Sequence, residues 1–210
     1  MGTSSTFGAS NTHVKYNITI NQNSQNVSTN CSNVSVYVRF WRDNSGYTTY
    51  GSGTCYCKIN GTTYSATVSS SQKITSSGIN LFSKTLDIYH NNDGTKTLTC
   101  SAWISMDTPL SSSEQTYSQT LSTIPRASNP SLSSSSVIMG DSITVYTNRA
   151  SSNFTHVLYY QIGSGGWNTI ATEIGTSKSW TVPLSLANST PNSTSLNVKL
   201  WLETYNGSTY

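Results

Sequence analysis

Apolar residues alternate with polar ones along most of this chain, and the period is two. Val14, Tyr16, Ile18 and Ile20 fall on one side of a run whose other side is Lys15, Asn17 and Thr19. Val34, Val36, Val38 and Phe40 repeat the pattern, opposed by Ser35, Tyr37, Arg39 and Trp41. Successive side chains leave a strand on opposite faces, so a period of two marks a strand with one buried face. Further strands are predicted over 54–59, 62–68, 81–89, 95–106 and 117–124. Asn60-Gly61 is the signal of a two-residue hairpin. Asp43-Asn44-Ser45-Gly46 and His90-Asn91-Asn92-Asp93-Gly94 read as turns, and 21–31 reads as polar and turn-like. About seven strands punctuated by turns predict a β-sandwich. No long stretch has a 3.6 period, so the predicted class is all-β.

The alternation stops at Thr123-Ile124-Pro125-Arg126-Ala127-Ser128-Asn129-Pro130. Two close prolines and a serine run to Ser136 predict a linker over 125–136, between domains at 13–124 and 137–210. Alternation then resumes with Ile143 and Val145, and with Phe154, His156, Leu158, Tyr160 and Ile162. Leu184 to Ala187 reads as a single helical turn. Leu196, Val198, Leu200 and Leu202 form a last strand, opposed by Lys199, Trp201 and Glu203. Asn206-Gly207 is a turn signal that an antiparallel sandwich would use to enter another strand. The second sandwich is therefore expected to be cut short at Tyr210 and the native polypeptide to continue. Residues 1–12 lack alternation and are rich in Gly, Ser and Thr, so a flexible arm is expected there.

Composition narrows the partners. Charged residues are 9% of the chain, hydrophobic ones 34% and aromatic ones 10%, which describes a folded protein with a hydroxyl and amide surface. The net charge is +3 and no Lys/Arg cluster occurs, so nucleic acid is not an expected partner. No apolar run approaches the roughly 18 residues of a spanning helix, so membrane insertion is not expected. Cys31, Cys55, Cys57 and Cys100 admit three readings: buried thiols, one disulfide, or a zinc site whose ligand spacing fits none of the usual patterns.

Catalytic chemistry finds little to stand on. The three histidines, His13, His90 and His156, have neither metal-ligand spacing nor a cysteine cluster beside them. His90 near Asp93 suits a turn-capping contact. Asp43, Asp93 and Asp141 sit beside Gly or Asn in turns, where local hydrogen bonding accounts for them. No G-x-S-x-G elbow is present. Sequons such as Asn17, Asn60 and Asn188 follow from an Asn-, Ser- and Thr-rich composition. We expect no enzyme activity, no cofactor and no metal. The informative feature is aromatic. Tyr37, Trp41, Tyr56 and Trp103 lie opposite the aliphatic rows, with Tyr47 and Tyr50 in a nearby loop. Such rings stack on the apolar faces of sugars and are equally favoured at protein interfaces. Packing, oligomer contact and saccharide contact all remain open for them.

Several of these stretches resemble a known family. His90-Asn91-Asn92-Asp93-Gly94-Thr95-Lys96-Thr97, followed by Thr123-Ile124-Pro125-Arg126-Ala127-Ser128, is similar to minor structural or tail proteins of siphophages of Gram-positive bacteria. Phe154-Thr155-His156, the 180–187 segment, Pro191-Asn192-Ser193-Thr194 and Thr204-Tyr205-Asn206-Gly207 resemble the immunoglobulin-like repeats of such proteins. The four cysteines depart from the family pattern. The resemblance implies two tandem immunoglobulin-like β-sandwich domains after the arm. It implies a virion component, at the tail tip, baseplate or tail fibre, and supplies no catalytic residues. With the neutral surface, it leads us to expect a spacer and host-surface adhesin, homo-oligomeric and assembled in the host cytoplasm. The expected partners are other virion proteins and host cell-wall polysaccharide. The alternative is an assembly component or capsid-decorating fibre. In it the N-terminal part docks onto other virion proteins and a missing C-terminal region carries recognition.

Overall fold

In the computed structural model, residues 1–48, 51–107 and 110–208 are described. The chain divides after Ile124 into two units, Met1–Ile124 and Pro125–Tyr210.

The first unit carries β1 (Gly2–Thr3), β2 (Phe7–Gly8), β3 (Val14–Asn26), β4 (Cys31–Arg42), β5 (Gly53–Ile59), β6 (Thr62–Val68), β7 (Ile79–Tyr89), β8 (Thr97–Met106) and β9 (Gln115–Thr120). One sheet runs β1-β3-β4-β7, with β2 also on β3; the other runs β6-β5-β8-β9. Every pairing is antiparallel. The alternating rows explain why the sheets meet. Val14, Tyr16, Ile18, Ile20, Val34, Val36, Val38 and Phe40 from the first sheet pack with Cys55, Cys57, Ile59, Leu98, Cys100 and Ile104 from the second in one buried cluster. The hairpin between β5 and β6 is the two-residue turn the sequence predicts. Ile59 pairs with Thr62, and Asn60 and Gly61 both take positive φ, 48° and 88°.

The second unit carries β10 (Ser131–Leu132), β11 (Ser142–Tyr146), β12 (Phe154–Ile162), β13 (Asn168–Ile174), β14 (Ser177–Thr181), a short 3-10 turn (Leu184–Ser189) and β15 (Val198–Asn206). Its sheets run β10-β11-β14 and β13-β12-β15. This repeats the order of the first unit: β10, β11 and β14 stand where β3, β4 and β7 stand, and β13, β12 and β15 where β6, β5 and β8 stand. The core is smaller. It consists of one cluster around Ile143, Val182 and Leu186 and another around Val145, Leu158 and Ile174.

Three expectations are corrected. Residues 1–12 do not form a free arm: β1 and β2 add to the edge of β3, with Gly2 opposite Ile20 and Phe7 opposite Tyr16. The Ser4 amide donates to the Ile18 carbonyl at 2.9 Å, and the Ile18 amide donates to Ser4 Oγ at 3.0 Å. The Phe7 ring sits 5.4 Å from that of Tyr16. An edge of unpaired amides is a site for strand addition, and two-residue strands are too short to show alternation. Second, 21–26 is strand rather than turn, because β3 stays paired with β4 as far as Asn26 opposite Cys31, through a register shift near Gln22. Third, 125–136 is built into the second unit rather than linking two. Asn148 Nδ2 donates to the Asn129 carbonyl, and β10 pairs with β11.

Candidate functional site: an aromatic pair repeated in both units

On β5, the inward residues Cys55, Cys57 and Ile59 leave Thr54, Tyr56 and Lys58 outside. On β8, Leu98, Cys100, Ala102 and Ile104 point inward and leave Thr99, Ser101, Trp103 and Ser105 outside. The register sets Tyr56 directly opposite Trp103. Their rings stack with centroids 5.0 Å apart and planes 11° apart. Around them the outward positions are Thr63, Ser65 and Thr67 on β6 and Thr116, Ser118 and Thr120 on β9. Hydroxyls pair across this surface, with Thr99 Oγ1 2.8 Å from Ser118 Oγ and Thr97 Oγ1 3.2 Å from Thr120 Oγ1. Lys58 is the charged side chain of the face. An aromatic plate ringed by neutral donors and acceptors is suited to a ligand that is apolar on one side and hydroxylated at its edge.

The second unit carries the same pair at the same topological place. Tyr159 on β12 lies opposite Trp201 on β15. Trp167, just before β13, approaches Trp201 at 6.1 Å between centroids. The two tryptophans are 46% and 49% exposed, well beyond what packing on a sheet face requires. Glu203 Oε2 accepts hydrogen bonds from the Tyr159 hydroxyl at 3.0 Å and the Tyr205 hydroxyl at 2.8 Å, which fixes both rings at the plate's edge. Sequence reasoning missed this set. The signal was present as a tyrosine flanked by inward residues, Cys-Tyr-Cys in one unit and Leu-Tyr-Tyr in the other, with a tryptophan on the strand opposite.

The six aromatics singled out from the sequence are not one site. Tyr56 and Trp103 share a face. Tyr37 and Trp41 are outward residues of β4, on the other sheet, so the core lies between the two groups. Tyr47, 37% exposed, stacks on His13 at 4.6 Å, and His13 Nδ1 meets Asp43 Oδ1 at 2.7 Å. Tyr50 lies outside the described residues.

The remaining candidates are structural. His90 is buried, with Nε2 2.7 Å from Ser32 Oγ and Nδ1 2.7 Å from the Gly94 carbonyl. Its turn contact is therefore to Gly94; Asp93 instead accepts from the Thr95 amide and hydroxyl, which hold its carboxyl below the usual value. His156 repeats the arrangement, with Nδ1 2.9 Å from the Ile174 carbonyl and Nε2 2.6 Å from Ser128 Oγ. All four cysteines are buried free thiols. Burial pushes Cys55 and Cys100 up to about 12 and raises Cys57 further, with Cys100 and Cys55 nearby adding to the last shift. Such thiols are poor nucleophiles, since the thiolate is the reactive form. Among the described residues no group of three or more His, Cys, Asp or Glu could hold a metal ion, and no helix is long and apolar enough to cross a membrane.

No curated protein matches this chain. A family model described as a siphovirus protein of unknown function (DUF859) matches residues 6–210, nearly the whole length. The chain belongs to that siphovirus family.

Proposed function

We propose that this protein is a structural component of the siphophage virion, at the tail tip, baseplate or tail fibre. In this reading its two immunoglobulin-like sandwich units act as a rigid spacer and as a weak adhesin for neutral host-wall polysaccharide. The carrying observation is the tyrosine–tryptophan pair repeated on the outer face of the corresponding sheet in each unit, Tyr56–Trp103 and Tyr159–Trp201. A single cross-strand aromatic pair supports a sheet, but a packing role does not require half-exposed tryptophans in the second copy. Two units per chain, multiplied by homo-oligomeric copies in a virion, would raise weak sites to useful avidity. The immunoglobulin-like reading rests on strand order, since β3-β4-β7 facing β6-β5-β8, and β10-β11-β14 facing β13-β12-β15, with the chain crossing between sheets, is the Greek-key arrangement of that class. The chemistry asked of the protein is recognition, not catalysis.

The test is binding of the full chain, displayed multivalently, to Gram-positive host cells and to their purified wall polysaccharide. Trp103→Ala and Trp201→Ala should each weaken retention, and the double variant should abolish it while circular dichroism stays unchanged. Retention by the double variant equal to that of the parent would remove the adhesin and leave the spacer. The assembly alternative draws less support, because the N-terminal residues it would use for docking are engaged with β3.

A further inference from the structure

The second unit departs from the first at two connections. Between β5 and β6 the chain turns on Asn60-Gly61 alone, whereas between β12 and β13 it runs through 163–167, with glycine at 163, 165 and 166. Between β7 and β8 it spans 90–96, whereas between β14 and β15 it spans 182–197 and includes the 3-10 turn Leu184–Ser189. Extra chain in a surface loop costs little stability, and loops held by a rigid scaffold are where binding residues gather.

The two longer connections meet. Together they enclose a pocket of about 590 Å³, with Tyr160, Leu186 and Leu196 on its floor and Ser189, Thr190 and Asn197 at its rim. Tyr160 is held by Trp180, with ring centroids 5.3 Å apart. The glycine turn is braced as well. The Gly165 amide donates to the Ile162 carbonyl at 3.0 Å, and Gln161 Nε2 donates to the Gly165 carbonyl at 2.6 Å. A Cβ at Gly163 or Gly166 would meet nothing within 4 Å, so a ligand can approach the backbone of this wall. Among the described residues, none that lines the pocket is charged. The volume lies within the roughly 300–1,000 Å³ of small-ligand sites. An apolar floor under hydroxyl and amide groups, without charge, suits a neutral sugar ring. The pocket also adjoins the aromatic plate. Gly166 lines it, and the next residue, Trp167, is the one that approaches Trp201.

We propose that this pocket is a second sugar subsite of the second unit. It takes the ring that follows the one stacked on Trp167 and Trp201, so this unit reads two consecutive neutral rings. Ser189, Thr190 and Asn197 pair with the hydroxyls of the second ring, and Tyr160 and Leu186 meet its apolar face. The first unit, with its two-residue hairpin, presents a plate alone. The proposal rests on the polysaccharide reading given above and adds to it a length requirement and a place for the second ring.

The test uses the full chain carrying Trp103→Ala, which silences the plate of the first unit. Host-wall polysaccharide cut into fragments of one, two and four rings is titrated in, and amide and indole chemical shifts are followed. The two-ring fragment should bind about tenfold more tightly than the one-ring fragment, because linking the rings makes the second contact intramolecular. It should also shift the amides of Gly163, Gly165, Gly166 and Asn197, and four rings should add little. Ser189→Trp, which fills the pocket, and Asn197→Ala, which removes a rim group, both alter exposed positions. Each should shrink the gain from one ring to two, while the Trp201 indole still reports the one-ring fragment. Equal affinity for one and two rings, or an undiminished gain in both variants, would overturn the subsite and leave the plate. No shift at Trp201 with any fragment or with the intact polymer would overturn the polysaccharide reading and the subsite with it.

Discussion

His156 is 0% exposed, so every polar contact it makes counts in full. Its Nδ1 faces a carbonyl and must carry the hydrogen, which leaves Nε2 to accept from the Ser128 hydroxyl. Ser128→Ala removes that donor and strands a buried acceptor, at a cost of about 1–3 kcal/mol. The midpoint of urea denaturation of the second unit should fall accordingly, whereas Ser134→Ala on the exposed serine run should leave it unchanged. The thiols give a pH prediction. A thiol ordinarily titrates near 9.0, and Cys55 and Cys100 are pushed up to about 12. The folded chain therefore holds these protons more tightly than the unfolded one. The associated stability is fully present below about 9 and is lost as pH rises toward about 12. Tyr16, raised by burial, acts in the same direction. Denaturation midpoints should decline above about pH 9, and a Cys55→Ala, Cys100→Ala double variant, weaker at neutral pH, should decline less steeply.

At the scale of elements, legibility followed burial. β4 and β12 were readable because one face of each is buried, and a two-fold pattern is what such a face imposes. Asn60-Gly61 was readable because positive φ at two successive positions selects those residues. β13 and β14 were not, because most of their residues are exposed and no apolar row marks a face. β1, β2 and β10 have two residues each, fewer than any period needs. The first aromatic face was half legible: residues on opposite faces of a strand could be told apart, but not which sheet each strand joined, so Tyr37 and Trp41 were grouped with Tyr56 and Trp103. Deleting residues 1–8 tests the reassigned N-terminus. A flexible arm would leave stability unchanged. Strands β1 and β2 predict a loss of about 2–3 kcal/mol from the Phe7 contact and the ladder. The uncovered edge of β3 should also cause concentration-dependent association in sedimentation velocity.

The whole molecule is two versions of one strand plan, one of them better filled. The first unit closes a single cluster that draws on both sheets, whereas the second has two separate clusters of three buried apolar residues each. Apolar area removed from water dominates folding free energy, so the units should differ in stability in that order. Denaturation of the full chain should then occur in two steps rather than one. The tryptophans report on each separately: Trp41 and Trp103 belong to the first unit, and Trp167, Trp180 and Trp201 to the second. A variant with Phe at 41 and 103 should show only the earlier transition by fluorescence. A variant with Phe at 167, 180 and 201 should show only the later one. Between the two midpoints, proteolysis should digest Pro125–Tyr210 and spare Met1–Ile124, because an unfolded unit is cut while a folded one is not. Coincident transitions in the two variants would mean that the units stabilise each other enough to unfold together.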